Sequence, residues 1–307
     1  MIHGVLNVYK EKGFTSHDVV AKLRGIAGQK KIGHTGTLDP DAEGVLPVCL
    51  GKATKLCDLL TDKDKTYEAV MLLGITTDTQ DISGTVLEEK STDGITREMT
   101  EEIIRGFIGD YDQVPPMYSA LKVQGKKLYE LARQGIEVER KARRVKILDI
   151  EILEVDLPRV RMSVTCSKGT YIRTLCDDIG QRLGCGACME KLLRTRVERF
   201  KIEDSLKLSE IQELKDQGKL ETILLSIDSM FPNLAKVTLD EATSCAVKNG
   251  NIFYREGICR VSPDKNKFDD EENVLVYDDR EHFVAIYQYH EENKYFKIVK
   301  MFFDGKQ

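Results

Sequence analysis

The chain has no apolar run that approaches the roughly 20 residues needed to cross a bilayer, which excludes a helical membrane span. Its opening stretch, "MIHGVLNVYKEKG", places charge too soon after too short an apolar run for a signal peptide. A cytoplasmic protein with no membrane partner is therefore expected. Internal repeats and low-complexity tracts are also missing. Eight cysteines are scattered along the chain, so no disulfide framework is expected. Only Cys185 and Cys188, in "CGAC", are closely spaced. A zinc site would want a second CxxC or a CxxH partner, and neither is present. Small buried thiols are the simpler reading of that pair.

What is present is ordinary globular material. With 307 residues, 41% hydrophobic and 32% charged, the chain can form one large core or a large domain beside a small one. The net charge of −5 argues mildly against a polyanion partner, but the charge is unevenly spread. From Lys122 to Lys146 nine basic residues face three acids, whereas from Ser262 to Glu281 eight acids face three basic residues. A basic element on an acidic chain is either a solvated charged segment or a footprint for phosphates.

The pattern of elements is α+β. "GVLNVYKEKGFTSHDVVAKLRGIAG" reads as a strand, a turn at Gly13 and a helix capped by Ser16, with Val19, Val20, Leu23 and Ile26 on its apolar face. "KTYEAVMLLGI" alternates as a strand, with Tyr67, Ala69 and Met71 on one side. A helix follows from near Thr96 to before Gly109. A proline-led basic insertion then occupies about 112–145, two or three strands precede a helix from about Ile172, and "LSEIQELKDQGKLETILLS" reads as helical. Past a boundary near Pro232, short strands separated by polar turns suggest a small β-barrel over 233–307.

One carboxylate stands out. Asp39, in "GHTGTLDPDAEGVLPVCLG", sits between glycine-rich and apolar stretches. It could cap a helix, bind a metal with Asp41 and Glu43, or do chemistry. EF-hand spacing fails, because no bidentate Glu lies at the twelfth position and prolines intrude. A cap leaves Gly33 and Gly36 unexplained, since such glycines permit positive φ and close backbone approach to a ligand.

The stretch Gly33 to Lys55 resembles the signature of the bacterial tRNA pseudouridine synthase B family. Four further blocks follow in family order: Lys65 to Gly84 with its K-x-Y, Gln113 to Gly135, "CSKGTYIRTLCDDIG" from Cys166, and "LLRTRVERF" from Leu192. Together they cover about 200 residues. The resemblance implies a mainly antiparallel mixed sheet with flanking helices and a thumb insertion, within 1–232, followed by a PUA-like RNA-binding barrel. It implies conversion of uridine 55 in the T loop of tRNA to pseudouridine, by base flipping, in a monomer. Nothing is reduced or transferred between molecules in that isomerisation, so neither cofactor nor metal is implied.

By the same resemblance Asp39 is the nucleophile, attacking C1′ or taking a sugar proton. A carboxylate must be ionised and aimed for this, and Arg173 of "GTYIR" is suited to both tasks. Tyr67 stacks on the target base and takes the C5 proton, while Tyr171 lines the pocket. Leu193 forms the pocket's apolar wall, and His34 supports the stack around the extruded nucleotide. Lys10 and the thumb cations Lys126, Lys127, Arg140, Lys141, Arg143 and Arg144 meet RNA phosphates. Read without the motif, Arg173 would be a surface ion pair, the tyrosines and Leu193 core, and His34 structural.

Three positions depart from the family pattern. Tyr9 and Glu11 replace Asp and Pro before Gly13, Cys188 stands where histidine is common, and "LLRT" has one basic residue fewer. Two rival functions remain at this level: a non-catalytic RNA-binding or RNA-folding protein on the same scaffold, and a related synthase acting on rRNA or through guide RNAs.

Overall fold

A computed structural model of the chain describes residues 1–123, 125–263, 267–303 and 305. Asp264 and Lys265 of the acidic run lie outside the described residues. In chain order the first elements are β1 (Gly4–Lys10), α1 (Ser16–Ala27), β2 (Ile32–His34), β3 (Glu43–Leu50), α2 (Cys57–Thr61) and β4 (Lys65–Leu73). A two-stranded ribbon, β5 (Ile75–Thr77) and β6 (Val86–Glu89), leads to α3 (Arg97–Arg105) and β7 (Gly109–Gln113). The basic insertion carries β8 (Lys122–Val123), β9 (Lys126–Lys127) and α4 (Leu128–Ala132). Then come β10 (Arg143–Asp156), β11 (Arg159–Cys166), α5 (Ile172–Leu183), β12 (Ala187–Val197), β13 (Phe200–Lys201) and α6 (Leu208–Asp216).

These strands make a nine-stranded sheet in the order β1-β3-β12-β4-β11-β10-β7, with β2 on β3 and β13 on β12. Every pairing is antiparallel except β12 with β3. β1 and β3 are buried on both faces, as their almost unbroken apolar sequences require. Leu6, Val8, Leu46 and Val48 pack with Val19, Val20 and Leu23 of α1. Val5, Val45 and Cys49, on the other side, pack with Leu275 and Ile286 of the C-terminal sheet and with Phe302 just beyond its last strand. Each such Val or Leu contributes roughly 1.5–3 kcal/mol by leaving water. α5 lays Ile172, Leu175, Cys176 and Ile179 onto Tyr67, Ala69 and Met71 of β4, the face expected from alternation.

Two details differ from the reading of the sequence. α1 is capped by Thr15, not Ser16: Thr15 Oγ1 accepts from Asp18 N at 3.1 Å, and Thr15 N donates to Asp18 Oδ2 at 2.8 Å. This reciprocal box needs an acid three residues beyond the cap, which Thr15 has and Ser16 lacks. The stretch after Leu208 is not one helix: α6 stops at Asp216, Gly218 takes φ +71°, and a single 3₁₀ turn follows at Leu220–Ile223.

The C-terminal strands β14 (Ala235–Leu239), β15 (Phe253–Tyr254), β16 (Ile258–Ser262), β17 (Asn273–Tyr277), β18 (Phe283–His290) and β19 (Tyr295–Met301), with α7 (Glu241–Lys248), form a curled six-stranded sheet. Its order is β15-β19-β18-β17-β14-β16, so the expected small barrel is realised as a half-barrel. It encloses its own core around Val237, Val276, Tyr287 and Phe296. It also docks through polar contacts, Lys55 Nζ to Met301 O at 2.6 Å and Tyr277 Oη to Asp228 Oδ2 at 2.7 Å.

Candidate active site

Asp39 lies in the loop between β2 and β3, and four residues anchor the backbone of that loop. From the turn after β1, Gly13 N donates to Pro40 O at 3.0 Å. Ser16 Oγ, freed from capping, accepts from Leu38 N at 2.9 Å. Lys10, expected to meet phosphate, is instead fully buried and donates to Pro40 O (3.0 Å), Ala42 O (2.5 Å) and Glu11 O (3.2 Å). Its ammonium satisfies backbone carbonyls and is out of reach of RNA. Burial lowers its pKa to about 8. The fourth anchor, Arg194 of β12, is 1% exposed and donates to Val45 O at 2.7 Å and to Thr37 O and Gly36 O at 3.4 Å.

Gly44 makes the parallel β3–β12 pairing possible. It has φ +105°, and a Cβ there would lie 2.2 Å from Arg194 O. Gly33 and Gly36, in contrast, do not adopt positive φ. A Cβ at Gly33 would press on Cys57 Sγ at 3.2 Å, and one at Gly36 would touch Lys65 and Arg194.

The Asp39 carboxylate meets Arg173 twice, Oδ2 with Nε at 3.0 Å and Oδ1 with Nη2 at 3.3 Å. The guanidinium is almost fully buried, whereas the Asp39 side chain keeps 40% of its surface exposed. Arg173 also donates to Thr79 O at 3.2 Å and Tyr118 O at 3.0 Å, and lies 3.6 Å from Asp81 Oδ2. One cation therefore serves two carboxylates and ties the insertion to the loop. Burial pushes the Asp39 carboxyl above its ordinary value, Arg173 opposes the rise, and Asp81 adds to it. The geometry aims Asp39 while leaving it reachable, as a nucleophile or proton acceptor requires.

Tyr67 is buried on β4, directly opposite Arg194 in the β4–β12 register. Burial raises its phenol, and Arg194 is the strongest opposing influence. Tyr171 caps α5 and feels the charges of Arg173 and Asp39. Gln113, 1% exposed, holds its backbone from both sides. Asp39, Arg173, Tyr67 and Tyr171 thus share one electrostatic environment. His34 is half-buried beside the loop, its Nδ1 accepting from Gly36 N at 3.3 Å. Burial and then Arg194 lower its pKa, so it is a neutral acceptor there.

Leu193 is a correction. Register pairs it with Glu43 and Glu68, on the sheet face away from Tyr67. Leu192, opposite Ala69, is the residue that packs against the cluster containing Tyr67.

The thumb excursion leaves at Gln113 and returns at Arg143, which face each other in the β7–β10 register. Lys126, Lys141, Arg143 and Arg144 are exposed, and Lys127 and Arg140 are half-buried. Arg144 is engaged by Asp112 at 2.8 and 3.0 Å. Arg140 reaches Pro115 O at 3.3 Å and pairs with Glu137, while Lys127 Nζ lies over the Tyr129 ring. Cys185 and Cys188 are buried free thiols. Among the described residues no cluster of His, Cys, Asp and Glu could hold a metal ion, and no helix is long and apolar enough to cross a membrane.

Residues 24–172 match the family model of the TruB family pseudouridylate synthase N-terminal domain, and residues 173–232 match the tRNA pseudouridylate synthase B C-terminal domain. The chain belongs to the TruB family of pseudouridine synthases. It is 52% identical to tRNA pseudouridine synthase B of Lachnoclostridium phytofermentans, over 98% of this chain and 100% of that protein. It is 44% identical to the protein of the same name from Alkaliphilus oremlandii, over 99% of each. Among solved structures, an H/ACA RNP bound to a substrate RNA containing 2′-deoxyuridine superposes with TM-score 0.71 at 26% identity, covering 98% of this chain and 85% of that one. A Cbf5-Nop10-Gar1 complex gives TM-score 0.71 at 28% identity, with 97% and 84% covered.

Within this TruB framework the structure adds Arg194, Gln113, Asp81 and Leu192 to the residues singled out by motif. Leu192 and Arg194 share the "LLRT" stretch with Leu193, and strand parity would have separated them. Gln113 and Asp81 lie in the quoted blocks, but only the fold brings them to α5.

Proposed function

We propose that this TruB-family chain isomerises uridine 55 in the T loop of tRNA to pseudouridine. The reading is carried by one observation: an aimed, partly exposed Asp39 held by the buried Arg173, with Tyr67 and Tyr171 in the same environment. The names of the full-length relatives supply the tRNA substrate. The flipped nucleotide enters between the Asp39 loop and the first turn of α5, where Asp39 faces the sugar. The N1–C1′ bond breaks, the base turns, and C1′ bonds to C5. The C5 proton leaves, N1 takes one up, and no electrons enter or leave. Arg173 keeps the Asp39 carboxylate charged and directed, and Tyr67 supports the base and receives the proton.

Residues 1–232 form the catalytic unit and 233–307 a PUA-like unit that extends the RNA contact. The exposed thumb cations Lys126, Lys141 and Arg143 meet T-arm phosphates, with Lys127, Arg140 and Arg144 released to join them from their present partners. The protein acts as a cytoplasmic monomer.

The test is incubation with unmodified tRNA followed by mapping of the modified position. Wild-type protein is expected to yield pseudouridine at position 55, and Asp39→Asn to bind tRNA while forming none. Product from the Asp39→Asn variant, or modification confined to other RNAs, refutes the reading.

A further inference from the structure

Among the described residues Arg194 has no acid partner. It is 1% exposed, and among the described residues no carboxylate lies within ion-pair distance of its guanidinium. Its three accepting carbonyls, on Gly36, Thr37 and Val45, are neutral and use only part of its five-donor fork. A buried cation without a counter-charge is costly to a fold, so its retention calls for a reason.

The neighbouring charges sharpen the point. Lys10 on β1 and Lys65 on β4 are both buried, and burial lowers each to about 8, with Arg194 adding to the fall. His34 on β2 is lowered as well. Asp39 and, on β11, Cys166 act on Tyr67 in the opposite sense to Arg194, but Asp39 is already engaged by Arg173. The charges grouped around Arg194 and Tyr67 are therefore mainly positive, and the carboxylate that acts on Tyr67, Asp39, is committed elsewhere. Cross-strand register puts the Arg194 and Tyr67 side chains on the same face, opposite one another.

We propose that Arg194 is a positioning residue acting through Tyr67: its acid-free guanidinium holds the Tyr67 oxygen as the anion that removes the C5 proton. This rests on the reading of the chain as a uridine-to-pseudouridine isomerase. After the C1′–C5 bond has formed, C5 carries both the sugar and its hydrogen. The proton passes to the phenolate oxygen, the C–H electron pair restores the C5=C6 double bond as the C6=N1 pair moves onto N1, which takes up a proton, and Tyr67 becomes a neutral phenol. The phenol returns the proton to water before the next turnover. Burial alone would keep the phenol protonated, and Arg194 opposes that.

The test compares loss of charge with loss of shape. Arg194→Gln and Arg194→Met remove the charge, and Arg194→Lys keeps it while losing the fork that grips three carbonyls. Single-turnover rates on unmodified tRNA are measured from pH 6 to 10, with melting temperature and tRNA affinity for each variant. The neutral variants are expected to shift the rate profile to higher pH, with at least a tenfold loss at neutral pH. The Lys variant loses rate but keeps the wild-type profile. Equal losses with unmoved profiles in all three mean that Arg194 only pins the Asp39 loop, and the proposal falls. Should neither neutral variant fold, a Lys profile displaced to higher pH overturns it and an undisplaced one supports it. A second readout does not need turnover: in protein with ¹³C-labelled tyrosine, the signal lost in Tyr67→Phe should titrate higher once Arg194 is neutralised. If wild-type protein forms no pseudouridine, the functional reading fails. The Tyr67 titration then still decides whether Arg194 stabilises the phenolate.

Discussion

Gln113 grips Tyr171 by both of its backbone polar groups: Nε2 donates to Tyr171 O at 3.0 Å, and Oε1 accepts from Tyr171 N at 2.8 Å. The last residue before the thumb thereby fixes the first turn of α5, from which Arg173 reaches Asp39. Gln113→Ala strands Tyr171 N, while Tyr171 O keeps Leu175 N as a donor at 3.1 Å; leaving one such bond unmade costs on the order of 1–3 kcal/mol. Urea unfolding should show that loss, and single-turnover rates should drop more than tenfold. Gln113→Glu keeps the acceptor but sets a carboxylate against the Tyr171 carbonyl, and should fall between the two. An alanine variant with wild-type rate removes Gln113 from the machinery.

Thr15 and Ser16 are neighbours with separate duties. Thr15→Ala removes the α1 cap and should cost about 1 kcal/mol of stability, visible as a lower melting temperature with turnover nearly intact. Ser16→Ala leaves Leu38 N, next to Asp39, without its acceptor. It should lower the single-turnover rate more than it lowers the melting temperature. The opposite ranking would show that the Asp39 loop does not depend on this bond.

Lys10 makes stability depend on pH in a defined direction. Its folded value is about 8 against an ordinary 10.5, so between those limits the unfolded chain binds more protons. Stability therefore rises with pH across that window, as the cost of burying the charge is relieved, by at most about 3 kcal/mol. Lys10→Met cannot gain this increment. The unfolding free energy of wild type minus that of the variant should grow between pH 7 and pH 10, and a constant difference counts against the assignment.

Salt dependence should sort the thumb cations. Lys141→Ala and Arg143→Ala should each reduce the slope of log affinity for tRNA against log salt by about 1. Arg144→Ala should do less, because Asp112 already engages it. Asp112→Asn should release Arg144 and tighten binding. Equal effects from all three cations would mean that the Arg144–Asp112 pair opens at no cost.

Local pattern was readable from the chain itself. Alternation in "KTYEAVMLL" gave the correct buried face for Tyr67, and the motif named both Asp39 and Arg173. What the chain could not reveal depended on distant partners. Two of the three carbonyl acceptors of Lys10, on Pro40 and Ala42, lie 30 and 32 residues away in the chain, so it read as a phosphate ligand. Gln113 and Arg194 are polar residues with nothing local to distinguish them until register brings them to Tyr171 and Tyr67. Leu193 and Leu192 differ only in strand parity, which the bulges flanking this part of β12 obscure. The Thr15 cap, by contrast, was available in "TSHD", where the acid follows Thr15, not Ser16, by three.

β3 is squeezed between two hydrophobic masses. Leu46 and Val48 face α1, while Val45 and Cys49 face the C-terminal sheet, and the carbonyl of Val45 is the one Arg194 grips most tightly. The half-barrel is thus a buttress for the strand that continues the Asp39 loop. A chain cut after residue 232 would bare the side chain of Val45, the very residue whose carbonyl Arg194 grips. Its reaction centre would slacken even on a minimal stem-loop too short to touch the missing part.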